Sequence, residues 1–321
     1  MATPVISPEP AAIASRIADT YHRIQQHIRK TRLIADDTYH LRMKCENEQE
    51  TGSFKWRGAL SKLSLMSPGS RLVTASTGNH GLAVATAARL YGLDTKIFIP
   101  QKASPKKVEK LKAVGADLQM VDGDSLDAEL AGKAYALENN LTWVSPYNDE
   151  DVIAGQGTIA AELTGDGEPI HRVYVTVGGG GLMSGIASWL SIHVPDVEII
   201  GCQPLFSPEM FLSTQAGYVV TAPESLPTLS DGSAGPLEED SITFDLCNRL
   251  IDRFVLIPEE DIKEAIRYAN EKHGLIIEGA AGVALAAAMH EPNPDWSQRS
   301  IVVLCGGNID PIVHQKIVEG S

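Results

Sequence analysis

The chain has 321 residues, of which 43% are hydrophobic and 21% charged, and it carries a formal net charge of -14. That length suits one large or two medium domains, and the composition is that of a globular protein rather than a disordered one. The acidic balance argues against a nucleic-acid partner, no apolar run is long enough to span a bilayer, and residues 1–10 lack a basic leader with an apolar centre. The expected location is therefore cytoplasmic, with neither nucleic acid nor membrane as partner. Four cysteines (Cys45, Cys202, Cys247 and Cys305) stand far apart without a CxxC pair, which points to reduced thiols and to neither a zinc site nor a disulfide framework.

After a polar start, residues 11–30 are predicted as a helix, because Ile13, Ile17, Ile24 and Ile28 share a face. From residue 71 onward, short β-branched runs alternate with helical stretches. Strands are predicted at 71–75, 95–100, 117–122 and 142–145, with helices from 81 to 90, at 105–114 and at 125–138. The alternation resumes with a helix at 157–163, strands at 172–177 and 197–202, and a helix at 182–191. Residues 203–243 contain Pro204, Pro208, Pro223, Pro227 and Pro236 and are predicted as loops around a site. A strand at 254–257, helices at 259–273 and 278–289, and a strand at 300–305 complete the pattern. Alternation of this kind builds parallel sheets. The expected fold class is α/β, with two parallel-sheet lobes and a cleft between them.

Chemistry enters through two distant segments. Lys55, in the run Thr51 to Ala59, sits just before a helix expected from about Gly58, and taken alone it would be a solvated lysine at a helix start. Gly178, Gly179, Gly180 and Gly181 follow a strand and precede a helix, where missing side chains let backbone N–H groups approach a phosphate. The run is not a GxGxxG pattern and no Walker lysine follows it. A lysine amine serves an enzyme chiefly as a nucleophile toward carbonyls, and one cofactor combines an aldehyde with a phosphate: pyridoxal phosphate, held as a Schiff base on Lys55 with its phosphate in the glycine cup.

Two further turns lie at strand ends. Ser76-Thr77-Gly78-Asn79-His80-Gly81 has free N–H groups suited to a carboxylate, and Asn79 could donate to the cofactor's phenolic oxygen; the plainer reading is an N-cap and turn. Cys305-Gly306-Gly307-Asn308 ends the last strand, where a neutral thiol could face a pyridine nitrogen without protonating it; the plainer reading of Cys305 is a small buried residue.

These segments, together with Lys44 to Asn47, Ile153 to Thr158 and Glu278 to Ala280, resemble the fold-type II pyridoxal-phosphate enzymes of the serine/threonine dehydratase and serine racemase family. They fall in the family's order and cover nearly the whole chain. The resemblance implies a tryptophan synthase β-like architecture, with a large cofactor-binding domain formed by 1–69 and 146–321 and a small domain formed by 70–145. It implies a homodimer, an amino-acid substrate, a Schiff base at Lys55, a phosphate cup at Gly178 to Gly181, Asn79 beside the phenolic oxygen and Cys305 at the pyridine nitrogen. Ser76, Thr77, Asn79 and His80 would hold the substrate carboxylate, Phe54 would pack on the ring, and Glu278 with Asp231-Gly232-Ser233 would line the pocket. Two departures stand out: Thr31-Arg32 replaces a Thr-Pro pair, and Gln203-Pro204 replaces the Glu-Pro pair of relatives with a divalent-cation site. Glu209 remains as a second candidate ligand, so no metal site is assigned and the divalent cation stays open.

The implied activity is a lyase reaction that converts a β-hydroxy-L-amino acid (serine, threonine or a relative such as 3-hydroxyaspartate) to a 2-oxo acid and ammonia. The alternatives are an amino-acid racemase, for which the Thr77 hydroxyl stands where serine racemases place a serine, and a binding protein without catalysis, against which the retained Lys55 counts.

Overall fold

The computed structural model describes residues 7–221, 225–291 and 300–320. Among the described residues, ten strands form two sheets. Arg71–Ala75 (β3), Asp94–Pro100 (β4), Asp117–Val121 (β5) and Thr142–Trp143 (β6) make a four-stranded sheet in the order β5-β4-β3-β6, parallel throughout. Leu33–Asp36 (β1), Leu41–Lys44 (β2), Arg172–Thr176 (β7), Glu198–Pro204 (β8), Arg253–Ile257 (β9) and Ser300–Val303 (β10) make a six-stranded sheet in the order β1-β2-β10-β7-β8-β9. Only the β1–β2 pair in it is antiparallel.

Parallel strands need crossovers, and the helices that make them bury the sheet faces. In chain order the helices are α1 Pro10–Ile24, α2 Lys55–Leu63, α3 Asn79–Tyr91, α4 Pro105–Ala113, α5 Ser125–Glu138, α6 Glu150–Gly165, α7 Gly181–His193, α8 Glu209–Ala216, α9 Ile242–Leu250, α10 Glu259–His273, α11 Gly279–Met289 and α12 Pro311–Glu319. The apolar residues of α11, every one buried, pack with Val173, Ile200 and Val302 of β7, β8 and β10 in the core of the larger sheet. The smaller sheet is filled on its two faces by separate clusters, one around Ile97, Ile99 and Leu111 and one around Val73, Phe98 and Ala128.

Several boundaries differ from the sequence reading. The first helix stops at Ile24 instead of continuing to residue 30. The helix expected from 157 begins at Glu150, where the Asp149 carboxylate accepts from the N–H groups of Asp151 and Val152. Helix α2 begins on Lys55 itself rather than near Gly58. The proline-rich stretch 203–243, of which 222–224 lie outside the described residues, contains α8 and the start of α9. Strands β1 and β2 and helix α12 have no counterpart in the sequence reading.

What the fold positions is a set of helix N-termini. Helices α2, α3, α7 and α11 start at Lys55, Asn79, Gly181 and Gly279, each next to a residue that faces one cavity. The first N–H groups of a helix have no intrahelical partner, so the cavity wall is rich in unpaired donors.

Candidate active site

The cavity has a volume of about 500 Å³, a size that suits a small cofactor with a substrate. Among its lining residues are Phe54, Lys55, Ser76, Thr77, Asn79, His80, Gly178 to Gly181, Asp231 to Ser233, Glu278 and Cys305. All site residues named from the sequence therefore line one cavity, except Glu209. Residues that the sequence reading did not single out also line it: Pro146, Tyr147, Lys107 and Glu129.

Lys55 enters from the first turn of α2. Its Nζ donates to the carbonyl oxygen of Pro146 at 2.7 Å and lies 5.2 Å from the centre of the Phe54 ring. Burial lowers its pKa to about 8, with the negative charge of Glu278 acting partly in the other direction. Behind it, Arg57 is fully buried and clasps two carboxylates: Nε donates to Glu46 at 2.7 Å and Nη1 to Glu162 at 2.8 Å. Lys44 donates to the same Glu162 at 2.6 Å, so two buried cations balance two buried anions. Burial, the largest single influence, would raise the Glu46 carboxyl, yet the charge and hydrogen bonds of Arg57, with Lys44 and Thr31, together outweigh it and hold the group below its ordinary value. The network ties α2 to β2 and α6 and thereby fixes where Lys55 starts.

The glycine run is packed as closely as it is open. Gly180 has φ +84, the left-handed region, and caps α7. A Cβ on Gly179 would run into the Tyr147 ring, and Thr243 Oγ1 donates to the Gly179 carbonyl at 2.6 Å. The carbonyl is thereby turned away, leaving the N–H side of the run and of α7 for the cavity. This is a cradle that fits a phosphate.

In the 76–81 turn, the Gly78 N–H donates to the Ser76 hydroxyl at 3.1 Å, so Ser76 and not Thr77 closes the turn. The His80 ring points inward: Nε2 lies 2.9 Å from Thr74 Oγ1 and 3.1 Å from the Val144 carbonyl. Burial and the Lys55 charge lower its pKa to about 3, so the imidazole is neutral, and its Nδ1 has no partner among the described residues. Asn79 Nδ2 donates to Glu278 Oε1 at 2.8 Å. Burial raises the Glu278 carboxyl to about 6, against which the N–H bonds from Asn79 and Asn308 act. The Cys305 thiol is pushed well above its ordinary value by burial, and is therefore protonated at neutral pH.

Glu209 stands apart from this cavity. It is buried, and its Oε1 accepts from the hydroxyls of Ser207 and, at 2.7 Å, Ser225; its other oxygen has no protein partner among the described residues. Gln203 fills the neighbouring position with both ends of its amide used: Nε2 donates to the Val177 carbonyl at 3.0 Å and Oε1 accepts from the Phe211 N–H at 2.7 Å. Among the described residues this is one carboxylate beside a satisfied amide, a poor donor set for a hard divalent cation, and Glu209 with Gln203 does not fit one.

The profile of the family described as pyridoxal-phosphate dependent enzyme matches residues 24–306. An L-threonine ammonia-lyase of Geobacter sulfurreducens is 34% identical over 313 residues, covering 94% of this chain and 77% of that protein. The chain is a fold-type II pyridoxal-phosphate enzyme of the serine/threonine dehydratase family. Among solved structures, the processed form of threonine deaminase isoform 2 from Solanum lycopersicum matches with a TM-score of 0.88 and 27% identity, covering 99% of this chain and 90% of that one. Maize serine racemase matches with a TM-score of 0.87 and 28% identity, covering 96% and 97%. The expected fold class, the cofactor and the lyase class all hold. Among the described residues no helix is long and apolar enough to cross a membrane.

Proposed function

We propose that this lyase of the serine/threonine dehydratase family converts a β-hydroxy-L-amino acid, with threonine and serine the first candidates, to a 2-oxo acid and ammonia. The observation that carries the reading is the placement of the Lys55 amine, with its lowered pKa, in one cavity with the glycine cradle and the 76–81 turn. Relatives named threonine ammonia-lyase support the choice of substrate.

In this reading Lys55 anchors the cofactor aldehyde, the N–H groups of Gly178 to Gly181 hold the phosphate, Phe54 packs on the ring, and Asn79 donates to the phenolic oxygen. Glu278 closes the wall, and Cys305 meets the pyridine nitrogen with a neutral thiol. Bound there, pyridoxal phosphate supplies a sink for the electrons released from the substrate's Cα–H bond. The chain does the rest. Backbone N–H groups of Ser76, Thr77, Asn79 and His80 hold the substrate carboxylate, and the displaced Lys55 amine takes the α-proton as general base. In sum the α-hydrogen and the β-hydroxyl leave as water; the enamine so formed tautomerises to an imine, and water hydrolyses this to the 2-oxo acid and ammonia.

The two sheets support a division into a large domain of 1–69 with 146–321 and a small domain of 70–145, and we read the protein as a cytoplasmic homodimer. Racemisation is the second reading, favoured by the serine racemase neighbour and by Thr77, whose side chain lines the cavity and does not close its own turn. The deciding assay offers L-threonine, L-serine and 3-hydroxyaspartate and follows 2-oxo acid and ammonia. Stoichiometric release of both from at least one of them supports the proposal. D-isomer without either product would replace it with the racemase reading.

A further inference from the structure

Asn308 joins three segments that lie far apart in sequence. Its Nδ2 donates to the Thr51 carbonyl at 2.8 Å and to Asn79 Oδ1 at 2.8 Å, while its backbone N–H donates to Glu278 Oε2 at 3.1 Å. The strand-end turn that carries it is annealed to the lysine segment: Phe54 N–H donates to the Cys305 carbonyl and Gly307 N–H to the Gly52 carbonyl, each at 2.9 Å. A Cβ on Gly306 would collide with the Glu278 carboxylate, so the missing side chain lets that carboxylate stand between the two asparagines.

Counting donors gives this arrangement a direction. A primary amide has two N–H donors and one carbonyl acceptor. The Thr51 atom that Asn308 meets is the carbonyl oxygen, which only accepts, so Asn308 turns its NH2 toward it, and the second hydrogen of that NH2 then meets Asn79. Asn79 must answer with its oxygen. At its other end the Asn79 NH2 meets the Glu278 carboxylate, which accepts one hydrogen. The second Asn79 N–H is left over, on a side chain that lines the cavity. A flipped Asn79 would set NH2 against NH2 at Asn308 and oxygen against carboxylate at Glu278, two repulsions in place of two bonds.

We propose that Asn308 is a positioning residue that fixes the amide orientation of Asn79, so that a single unpaired N–H, and not a carbonyl, faces the phenolic oxygen of the cofactor. The inference rests on the reading above that Asn79 faces that oxygen. It adds the residue that makes Asn79 a donor there.

The test compares wild type, N79A, N308A, the N79A/N308A double variant and N308D. Two quantities are read for each: the affinity of the apoprotein for pyridoxal phosphate, and the ratio of the visible to the near-ultraviolet band of the bound cofactor, which reports where the phenolic proton sits. N79A and N308A should each weaken binding about tenfold and shift the band ratio in the same direction, and the double variant should be no worse than N79A. N308D conserves size but turns two donors into acceptors, so it should reverse Asn79 and weaken binding at least as much; it carries the test if N308A does not fold. Additive losses in the double variant would show that Asn308 only braces the turn at Thr51, and would overturn the proposal. So would wild-type affinity and band ratio in N308D. A wild-type band ratio in N79A would instead remove the contact between Asn79 and the phenolic oxygen, and the proposal with it.

Discussion

The Lys55 amine donates to the backbone carbonyl of Pro146 at 2.7 Å, across 91 residues of sequence. A carbonyl can hold an amine in place without neutralising a charge, so the orientation is fixed while burial still lowers the pKa to about 8. A base whose pKa falls is neutral at lower pH. At pH 7 roughly a tenth of such amines are free, against well under a hundredth for an ordinary lysine. The rate at which the apoprotein captures pyridoxal phosphate, trapped by borohydride, should therefore rise through pH 8 and level off above it. A rate still climbing steeply above pH 10 would mean that Lys55 behaves as an exposed lysine.

The buried Arg57 network should matter for stability before it matters for chemistry. R57M leaves Glu46 and Glu162 facing Lys44 alone, and breaking a buried pair in this way costs about 3–5 kcal/mol. Urea unfolding of the apoprotein should show that loss. A change below about 1 kcal/mol would mean that water reaches the site and relieves it.

Divalent metal should be dispensable. Both ends of the Gln203 amide are occupied, and among the described residues Glu209 supplies the carboxylate near it. Prolonged chelation should leave activity and melting temperature nearly unchanged. Loss of more than about half the activity, restored by magnesium or manganese, would show that Glu209 and carbonyl oxygens suffice for a site.

Thr77 separates elimination from racemisation. Since Ser76 closes the turn, T77A should leave the turn and the backbone donors in place. Elimination from the best L-substrate should stay within about tenfold of wild type, the scale of one lost hydroxyl contact, while any slow D-isomer formation disappears. Unchanged D-isomer formation would exclude Thr77 as the second acid or base.

The parts of the site that were legible in the sequence are those made by local pattern. A strand, a glycine-bearing turn and a helix in succession identify 76–81 and Gly178 to Gly181, because period and turn residues are short-range properties. Strands β1 and β2 escaped because each is four residues long and carries one charged residue or more, too little for an alternation to register. Helix α8 lies inside a proline-rich stretch, where tertiary burial of Glu209 and Met210 outweighs the local signal. The pairing of Asn79 with Glu278 spans 199 residues and that of Asn308 with Asn79 spans 229. No local pattern encodes such partners; they follow from which strand ends the two sheets bring together. The inward turn of the His80 ring has the same origin, since the Val144 carbonyl, which can only accept from it, belongs to the neighbouring chain segment after β6.

The most direct test of the account is K55A, examined as the purified protein and in the ammonia assay. Wild type should be yellow, its cofactor retained on dialysis and fixed to Lys55 by borohydride. K55A should lose the covalent adduct and ammonia release together, since the anchor and the general base are one amine. A borohydride-reducible adduct at another lysine in K55A, or ammonia release at the wild-type rate, would contradict the assignment of Lys55.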